Sequence, residues 1–400
     1  MNREELLMLQ SLPLELKIAK TKLRIEEFVR YFGKENVYVS FSGGKDSTVL
    51  EHIVRSIYGF EIPLLFSNTG LEFPEVVDNA KYVRITVDEF LKYQKDINFK
   101  KLLSLNKLTE EQFHHILLND RNFIFKIERP NIVIVRPEKT FKQVLEEDGY
   151  PVLSKINSWK IEQVRKPTSK NKKTRILRLH DYMRNPDGTY SNTPNDMGIP
   201  KKWRYLVEAP FNVSAKCCGN FKKKPFSKYE KETGRRPIIG TMADESRTRK
   251  DSYLRKGCNT FDEKKGASTP LGFWTEQDIL KYIKEFNVHI PSVYGDIVED
   301  ENGKLSTTGE KRTGCVFCMY GLQLEKGENR FQRLERTHPN LHKACIEKLN
   351  LKDVCDYMNI PYSNNMPEEK SEIWLEGEKK RKEWLDNPKE KFDYFTRDIE

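Results

Sequence analysis

At 400 residues, with 32% charged and 37% hydrophobic side chains, the chain is polar for a globular protein, but its 22 Phe, 17 Tyr and 5 Trp exclude wholesale disorder. No apolar run approaches the roughly 18 residues of a membrane span, and the opening MNREELLMLQ carries acids where a signal peptide carries bases. The expectation is a soluble, cytoplasmic protein with no membrane partner. The net charge of +10 is concentrated at Lys166 to Lys173, Lys222 to Lys224 and Arg247 to Lys250. Such clusters suit phosphate-bearing partners, or are solvated surface.

In chain order, residues 4–32 read as helix. Leu6, Leu9, Leu16, Ile18, Leu23, Ile25 and Phe28 recur at the spacing of a partly buried face, and Pro13 divides the segment. Asn36 to Phe41 is a first strand, and a helix follows over 47–58. Ile62 to Ser67 is a second strand, with Asn68-Thr69-Gly70 and a helix near Pro74 behind it. This alternation implies a parallel sheet with helices on both faces. Residues 92–128 are Lys- and Asn-rich with a helical patch and read as an insertion. Asn131 to Val135 is a further strand, and Phe141 to Glu147 a short helix ending at Gly149. Residues 166–202 read as a basic loop excursion. Arg236 to Thr241 is a core strand, and Trp274 to Phe286 an amphipathic helix with Thr275 as its N-cap and Trp274 in the core. From Leu322 onward the chain reads as mostly helical.

The stretch VYVSFSGGKDST at 37–48 feeds a strand into a helix through a glycine turn. That arrangement builds an anion site. Glycine lets the main chain approach a ligand closely, and the helix start aims free N–H groups and a positive dipole end at the same spot. Ser42 and Ser47 add hydroxyls, and Lys45 a charge. The pattern is not Walker A, because Asp46 separates Lys45 from Ser47. A carboxylate beside polyphosphate calls for a cation between them, so Asp46 points to Mg²⁺.

SFSGGKDS is similar to the PP-loop of the ATP pyrophosphatase (adenine nucleotide α-hydrolase-like) superfamily, and the chain resembles its PAPS reductase family, iron–sulfur branch. Three further stretches carry the resemblance: FSNTGLEFPEVVD at 66–78, with Asn68 where the family has Asp, IIGTMADESRTRKDSY at 238–253, and TPLGFWTEQDILKYI at 269–283. The resemblance implies an α/β fold with a mainly parallel five-stranded sheet, flanked by a helical N-terminal segment (1–35) and a mostly helical, cysteine-containing C-terminal region (291–400), the nucleotide-binding domain covering 36–290 with insertions. It implies that ATP or adenylyl sulfate with Mg²⁺ contacts Ser40, Ser42, Gly43, Gly44, Asp46, Ser47, Gly70, Gly240, Glu245, Ser246 and Arg249, and that Lys45, Asp46 and Arg247 act in catalysis.

The cysteines form a second constellation. Cys217-Cys218 and the later Cys315-x-x-Cys318 can present four sulfurs to one centre, and the spacing alone admits zinc or a [4Fe–4S] cluster. The resemblance favours the cluster. Cys258 could replace one member of the doublet as ligand. Lys216 and Lys222 to Lys224 flank the doublet, where positive charge lowers thiol pKa. Cys345 and Cys355 read as structural, and the His114-His115 and His338/His342 pairs as surface or packing residues.

Three activities follow from these readings. In the first, ATP is cleaved to AMP and pyrophosphate to activate an acceptor for sulfur transfer. The resemblance extends here to the ATP pyrophosphatases of DNA phosphorothioation. The acceptor would be nucleic acid, the sulfur donor a cysteine desulfurase or similar, and the enzyme a homo-oligomer. In the second, an adenylyl- or phosphoadenylyl-sulfate reductase releases sulfite. However, the tail from Pro361 onward has no cysteine for the family's Glu-Cys-Gly-x-His nucleophile, and Thr241-Met242-Ala243 stand where reductases carry arginines. The third is a non-catalytic, nucleotide-gated iron–sulfur module.

Overall fold

Tyr38 alternates with Val37, Val39 and Phe41 along one extended stretch, and all four are buried, so both faces of this segment must be covered. The computed structural model, which describes residues 2–185, 187 and 189–397, places it inside a sheet. The chain folds as two units. One comprises Met1–Pro137 and Lys224–Gly314, the other Glu138–Lys223 and Cys315–Glu400.

In the first unit α1 (Arg3–Gln10) and α2 (Leu14–Phe32) form the helical N-terminal segment, with Pro13 at the entry to α2. β1 (Val37–Ser40) pairs in parallel with β2 (Leu64–Ser67) on one side and with Arg236–Ile239 on the other. Ile132–Val135 extends the sheet beyond β2, and Ala267–Ser268 extends it beyond Arg236–Ile239, both parallel. Asn259–Thr260 closes that edge antiparallel, giving six strands where the resemblance implied five. The two strands past Arg236–Ile239 are two residues each, too short to leave a hydrophobic period.

The pleat sorts the core. Val37, Val39 and Phe41 join Ile25 and Phe28 of α2, Val49, Leu50 and Ile53 of α3 (Lys45–Tyr58), and Trp274. Tyr38 and Leu65 face the other way, onto Phe226 and Tyr229 of the Lys224–Thr233 helix. Helices therefore cover both faces, as the alternation predicts. Trp274 is 0% exposed, and its indole N–H is satisfied by Thr21 Oγ1 at 2.9 Å.

The next helix, Glu276–Glu285, starts at Thr275 with a reciprocal cap. Thr275 Oγ1 accepts from the Asp278 amide, Asp278 Oδ2 accepts from the Thr275 amide at 2.7 Å, and the buried Lys17 ammonium reaches the same oxygen at 2.7 Å. Thr275→Ala is expected to lower the unfolding free energy by about 1 kcal/mol, seen as a lower urea midpoint at unchanged slope. An unmoved midpoint would show that this cap does not hold in solution.

The insertion holds one strand, and the segment before it another, that periodicity did not reveal. Tyr82–Thr86 and Ile124–Glu128 pair antiparallel over their full length and enclose Phe90, Phe113 and Phe125. The first follows directly on α4 (Pro74–Lys81) with no turn residues between them.

The second unit is mostly helical. It contains Phe141–Glu147, Lys155–Arg165, Arg330–Thr337, Leu351–Met358, Glu372–Asp386 and Pro388–Thr396. The stretch 166–202, expected as a loop, instead carries a helix (Lys172–Leu179) and an antiparallel hairpin (Tyr182–Arg184 with Tyr190–Pro194). Basic residues mislead here because Arg178 is internal. It lies over the Trp159 ring and donates to the Gln163 side chain and the Met197 carbonyl. Among the described residues no helix is long and apolar enough to cross a membrane.

Candidate functional site

β1 and Arg236–Ile239 run level, Ser40 opposite Ile239. The chain leaves β1 toward β2 on one side, while the later strands build the sheet on the other. A crevice therefore opens beyond the carboxyl ends of these two strands, where open α/β sheets take their ligands. The loops that follow them carry most of the sequence-predicted nucleotide residues, and they meet. A side chain at Gly240 would stand 3.2 Å from the Asp46 carbonyl oxygen.

α3 begins at Lys45 with Gly44 at its cap position, so the cap residue itself brings no side chain to the helix start. The loop before it is tied locally. Ser47 Oγ accepts from the Ser42 amide at 3.2 Å and donates to the Gly44 carbonyl at 3.0 Å, and the Ser42 and Ser47 hydroxyls lie 3.0 Å apart. Gly43 has φ +73°, and the buried Asn79 amide donates to its carbonyl at 3.0 Å. Ser40 sits half-buried at the end of β1, and Gly70, exposed at φ +73°, has open space around it.

Asp46 carries a buried carboxylate oxygen that lacks a hydrogen-bond donor. Its side chain is 29% exposed overall, but Oδ1 is buried and makes no hydrogen bond. Lys45 Nζ stands 3.4 Å away, close enough to attract but outside hydrogen-bond geometry. Burial raises the carboxyl pKa, with Lys45 opposing and the Glu276 carboxylate adding to the rise. A buried carboxylate oxygen with no donor suits a hard cation, so the residues present fit Mg²⁺.

Lys45 itself points away from open solvent. It is 3% exposed, donates to the Lys311 carbonyl at 3.3 Å and pairs with Glu276 at 3.4 Å. Its backbone amide donates to the Tyr294 hydroxyl at 3.0 Å, which in turn lies 2.7 Å from Thr313 Oγ1. Tyr294, Thr313, Glu276 and Asn79 are therefore site residues that sequence reasoning missed. Only Asn79 left a signal, as a polar residue on the inner side of α4.

On the opposite wall, Glu245 accepts from the Met242 amide at 3.0 Å and pairs with Arg249, while Ser246 Oγ caps the Arg247–Lys256 helix through the Arg249 amide. Burial lowers the Arg249 pKa, the neighbouring Arg312 lowers it further and Asp46 opposes. Arg247 is exposed at the helix start. A cavity of about 600 Å³ lies elsewhere, along the middle of α3. Its buried charges neutralise one another. Glu51 takes Arg55 at 3.0 Å and Arg129 at 3.1 Å, and Arg55 also takes Glu89. That network reads as structure holding α3 in place.

The four cysteines lie in the second unit, and one short segment gathers them. Tyr150 bridges Val213, just before the doublet, and Leu153 bridges Tyr320, just after Cys318. Gly149 enables this: it has φ +108°, and a side chain there would sit 2.4 Å from Asn212 backbone. Phe141 adds a second tie, its ring 5.8 Å from Phe221 and 6.0 Å from Phe317. The Cys318 amide closes a turn on the Cys315 carbonyl at 3.1 Å, and Arg330 donates to the Cys318 carbonyl at 3.0 Å.

Burial pushes the Cys217 thiol up, and Cys315, Cys218 and Cys318 push it further against Lys222. Burial likewise raises Cys318. The flanking lysines were expected to lower these thiols, but burial outweighs them. Neighbouring thiols that resist ionisation become thiolates when a metal centre neutralises them. Among the described residues no three His, Cys, Asp or Glu side chains converge as a site for a single metal ion. Cys258 belongs to the first unit, its sulfur 3.1 Å from the Tyr253 hydroxyl, while Cys345 and Cys355 are fully buried.

Comparison with known proteins bears on the first of these sites. Residues 36–136, 101 of the 400, match the phosphoadenosine phosphosulfate reductase domain family. The matched segment is about a quarter of the chain. It contains β1, the glycine loop, α3, β2 and the Gly70 loop. A probable FAD synthase from Caenorhabditis elegans is 36% identical over 84 residues, which cover 18% of this chain and 16% of that relative, so the chain spans less than a fifth of its length. Two solved structures show a distant likeness at 13% identity. A phosphoadenylyl-sulfate reductase from Candida auris, in complex with phosphate, has a TM-score of 0.32 over 76% of this chain and 98% of its own. A U34-tRNA thiolase from Methanococcus maripaludis, with its [4Fe–4S] cluster, has a TM-score of 0.31 over 85% and 79%. At such scores neither sets an activity for this chain.

Proposed function

We propose that the PAPS reductase domain binds ATP with Mg²⁺ and cleaves it to AMP and pyrophosphate, activating an acceptor for sulfur transfer supported by an iron–sulfur centre in the second unit. The observation that carries the reading is Asp46 Oδ1, buried without a hydrogen bond in the first turn of α3, beside glycine backbone. In this reading the triphosphate lies against Ser42, Gly43, Gly44 and Ser47, with Ser40 behind them, and Gly240, Glu245, Ser246 and Arg249 form the opposite wall. Gly70 lies beside the nucleotide, and Asp46 holds the magnesium.

An acceptor oxygen attacks the α-phosphorus, the bond to the bridging oxygen breaks, and pyrophosphate leaves with the charge that builds there. The amides at the start of α3 and the charges of Lys45 and Arg247 stabilise that charge by position. Cys217, Cys218, Cys315 and Cys318 would hold a [4Fe–4S] cluster, which when bound supplies a sulfur-carrying or structural centre. Exposed lysines at 166–173 and 222–224 suit a nucleic acid as acceptor, with a cysteine desulfurase as sulfur donor.

The test uses anaerobically purified full-length protein with Mg²⁺ and ATP, and in parallel with adenylyl sulfate or PAPS plus a thiol reductant. Magnesium-dependent pyrophosphate release supports the proposal. Sulfite release without pyrophosphate would replace it with the reductase that the family match also allows. Nucleotide binding without either product would leave a binding module.

A further inference from the structure

The start of α3 is already occupied by the protein itself. The Lys45 amide donates to the Tyr294 hydroxyl, and Tyr294 and Thr313 share a hydrogen bond at 2.7 Å. Both hydroxyls rest on the bare Cα of Gly44, where a side chain would lie 2.8 Å from Thr313 Oγ1 and 2.9 Å from Tyr294 OH. Lys45 is drawn in by the same stretch, through the Lys311 carbonyl.

The stretch has a fixed base and an exposed tip. Thr308, Gly309 and Glu310 donate backbone hydrogen bonds to Asp296, Tyr294 and Val293. Beyond them Lys311, Arg312 and Gly314 are exposed, and Gly314 has nothing packed against it.

We propose that Tyr294 and the 311–314 tip form a strap that closes the cradle in the nucleotide-free protein. The two hydroxyls stand in for phosphate oxygens, and a polyphosphate must displace them to reach the Lys45 amide and free the Lys45 ammonium. This rests on the nucleotide-cradle reading. The exchange is favourable because a phosphate oxygen accepts from an amide about twice as strongly as a neutral hydroxyl and also meets the helix dipole. The strap therefore sets affinity and keeps Lys45 out of reach until a triphosphate arrives.

Two measurements on the full-length protein test it. Calorimetric titration with Mg·ATP should show Tyr294→Phe and Thr313→Val binding about threefold to tenfold more tightly than wild type, the worth of one hydrogen bond removed from the closed form. Weaker or equal binding in both variants would overturn the strap. Limited trypsin digestion read by mass spectrometry should show faster cleavage after Lys311 and Arg312 in both variants without nucleotide. Unchanged cleavage in both, with wild-type melting curves, would also overturn it. If the wild type binds no Mg·ATP while cleavage accelerates in the variants, the nucleotide reading fails and the closed contact stands. A variant that does not fold passes both tests to the other.

Discussion

Replacing Gly43 with valine is expected to lower magnesium-dependent pyrophosphate release about 100-fold while leaving the iron content unchanged. At φ +73° a residue with a side chain costs roughly 1–2 kcal/mol, and β-branching makes that conformation a genuine outlier. The larger penalty is spatial. A Cβ at this position meets the Val76 carbonyl oxygen at 2.7 Å and Val76 Cγ1 at 2.9 Å. Backbone in α4 cannot swing aside, so the loop must move, and the Asn79 bond to the Gly43 carbonyl moves with it. A displacement of about 1 Å at a reacting centre is worth about 100-fold. Gly70→Ala separates the two costs, because Gly70 has the same φ with nothing within 4 Å. Its effect should stay below about thirtyfold. Wild-type pyrophosphate release from Gly43→Val would end the case for this loop as the phosphate cradle.

What the sequence disclosed follows from where the forces are local. The 37–48 stretch announces itself because glycines, alternation and a helix pattern lie within a dozen residues, and the structure returns the strand, the turn and α3 in place. Thr275 is equally local, its cap formed with a residue three positions on. By contrast, Tyr294 and Thr313 act on Lys45 from about 250 positions away. A tyrosine and a threonine carry no pattern that marks such contacts. The Tyr82–Thr86 strand is hidden because it leaves α4 without a turn, and its pairing partner lies across three α-helices.

Charge was the least legible quantity, because its meaning depends on burial. Lys45 reads from sequence as a phosphate ligand, yet it is buried against Glu276 and a carbonyl. Arg178 falls in the stretch that reads as a basic loop and is internal. Lys222 lowers the Cys217 thiol as expected from sequence, but the desolvation it opposes is larger. Each reversal has one cause: a charged group's neighbours are fixed by tertiary packing, while its own sequence fixes only its type.

Serine in place of Cys217 or Cys318 is expected to remove most of the iron and visible absorbance from anaerobically purified protein, whereas serine at Cys258 keeps both. The contrast separates a shared centre from incidental thiols. Cys217 responds electrostatically to Cys218, Cys315 and Cys318, and Cys318 to Cys218, so these thiols form one set. Cys258 lies in the other unit with its sulfur against Tyr253, and the influences on its thiol come from Tyr253, Arg24, Lys20 and Glu27. Taking one of four thiolates from a cluster leaves an iron open to water and oxidation, so loss should be near complete rather than graded. Cys345→Ala is the control for damage to the second unit. It deletes a fully buried sulfur outside the set and should lower stability by about 1–3 kcal/mol with iron retained. Equal iron loss from Cys258→Ser and Cys217→Ser would break the four-cysteine assignment. Stoichiometric zinc with no iron in the wild type would replace the cluster with a single ion.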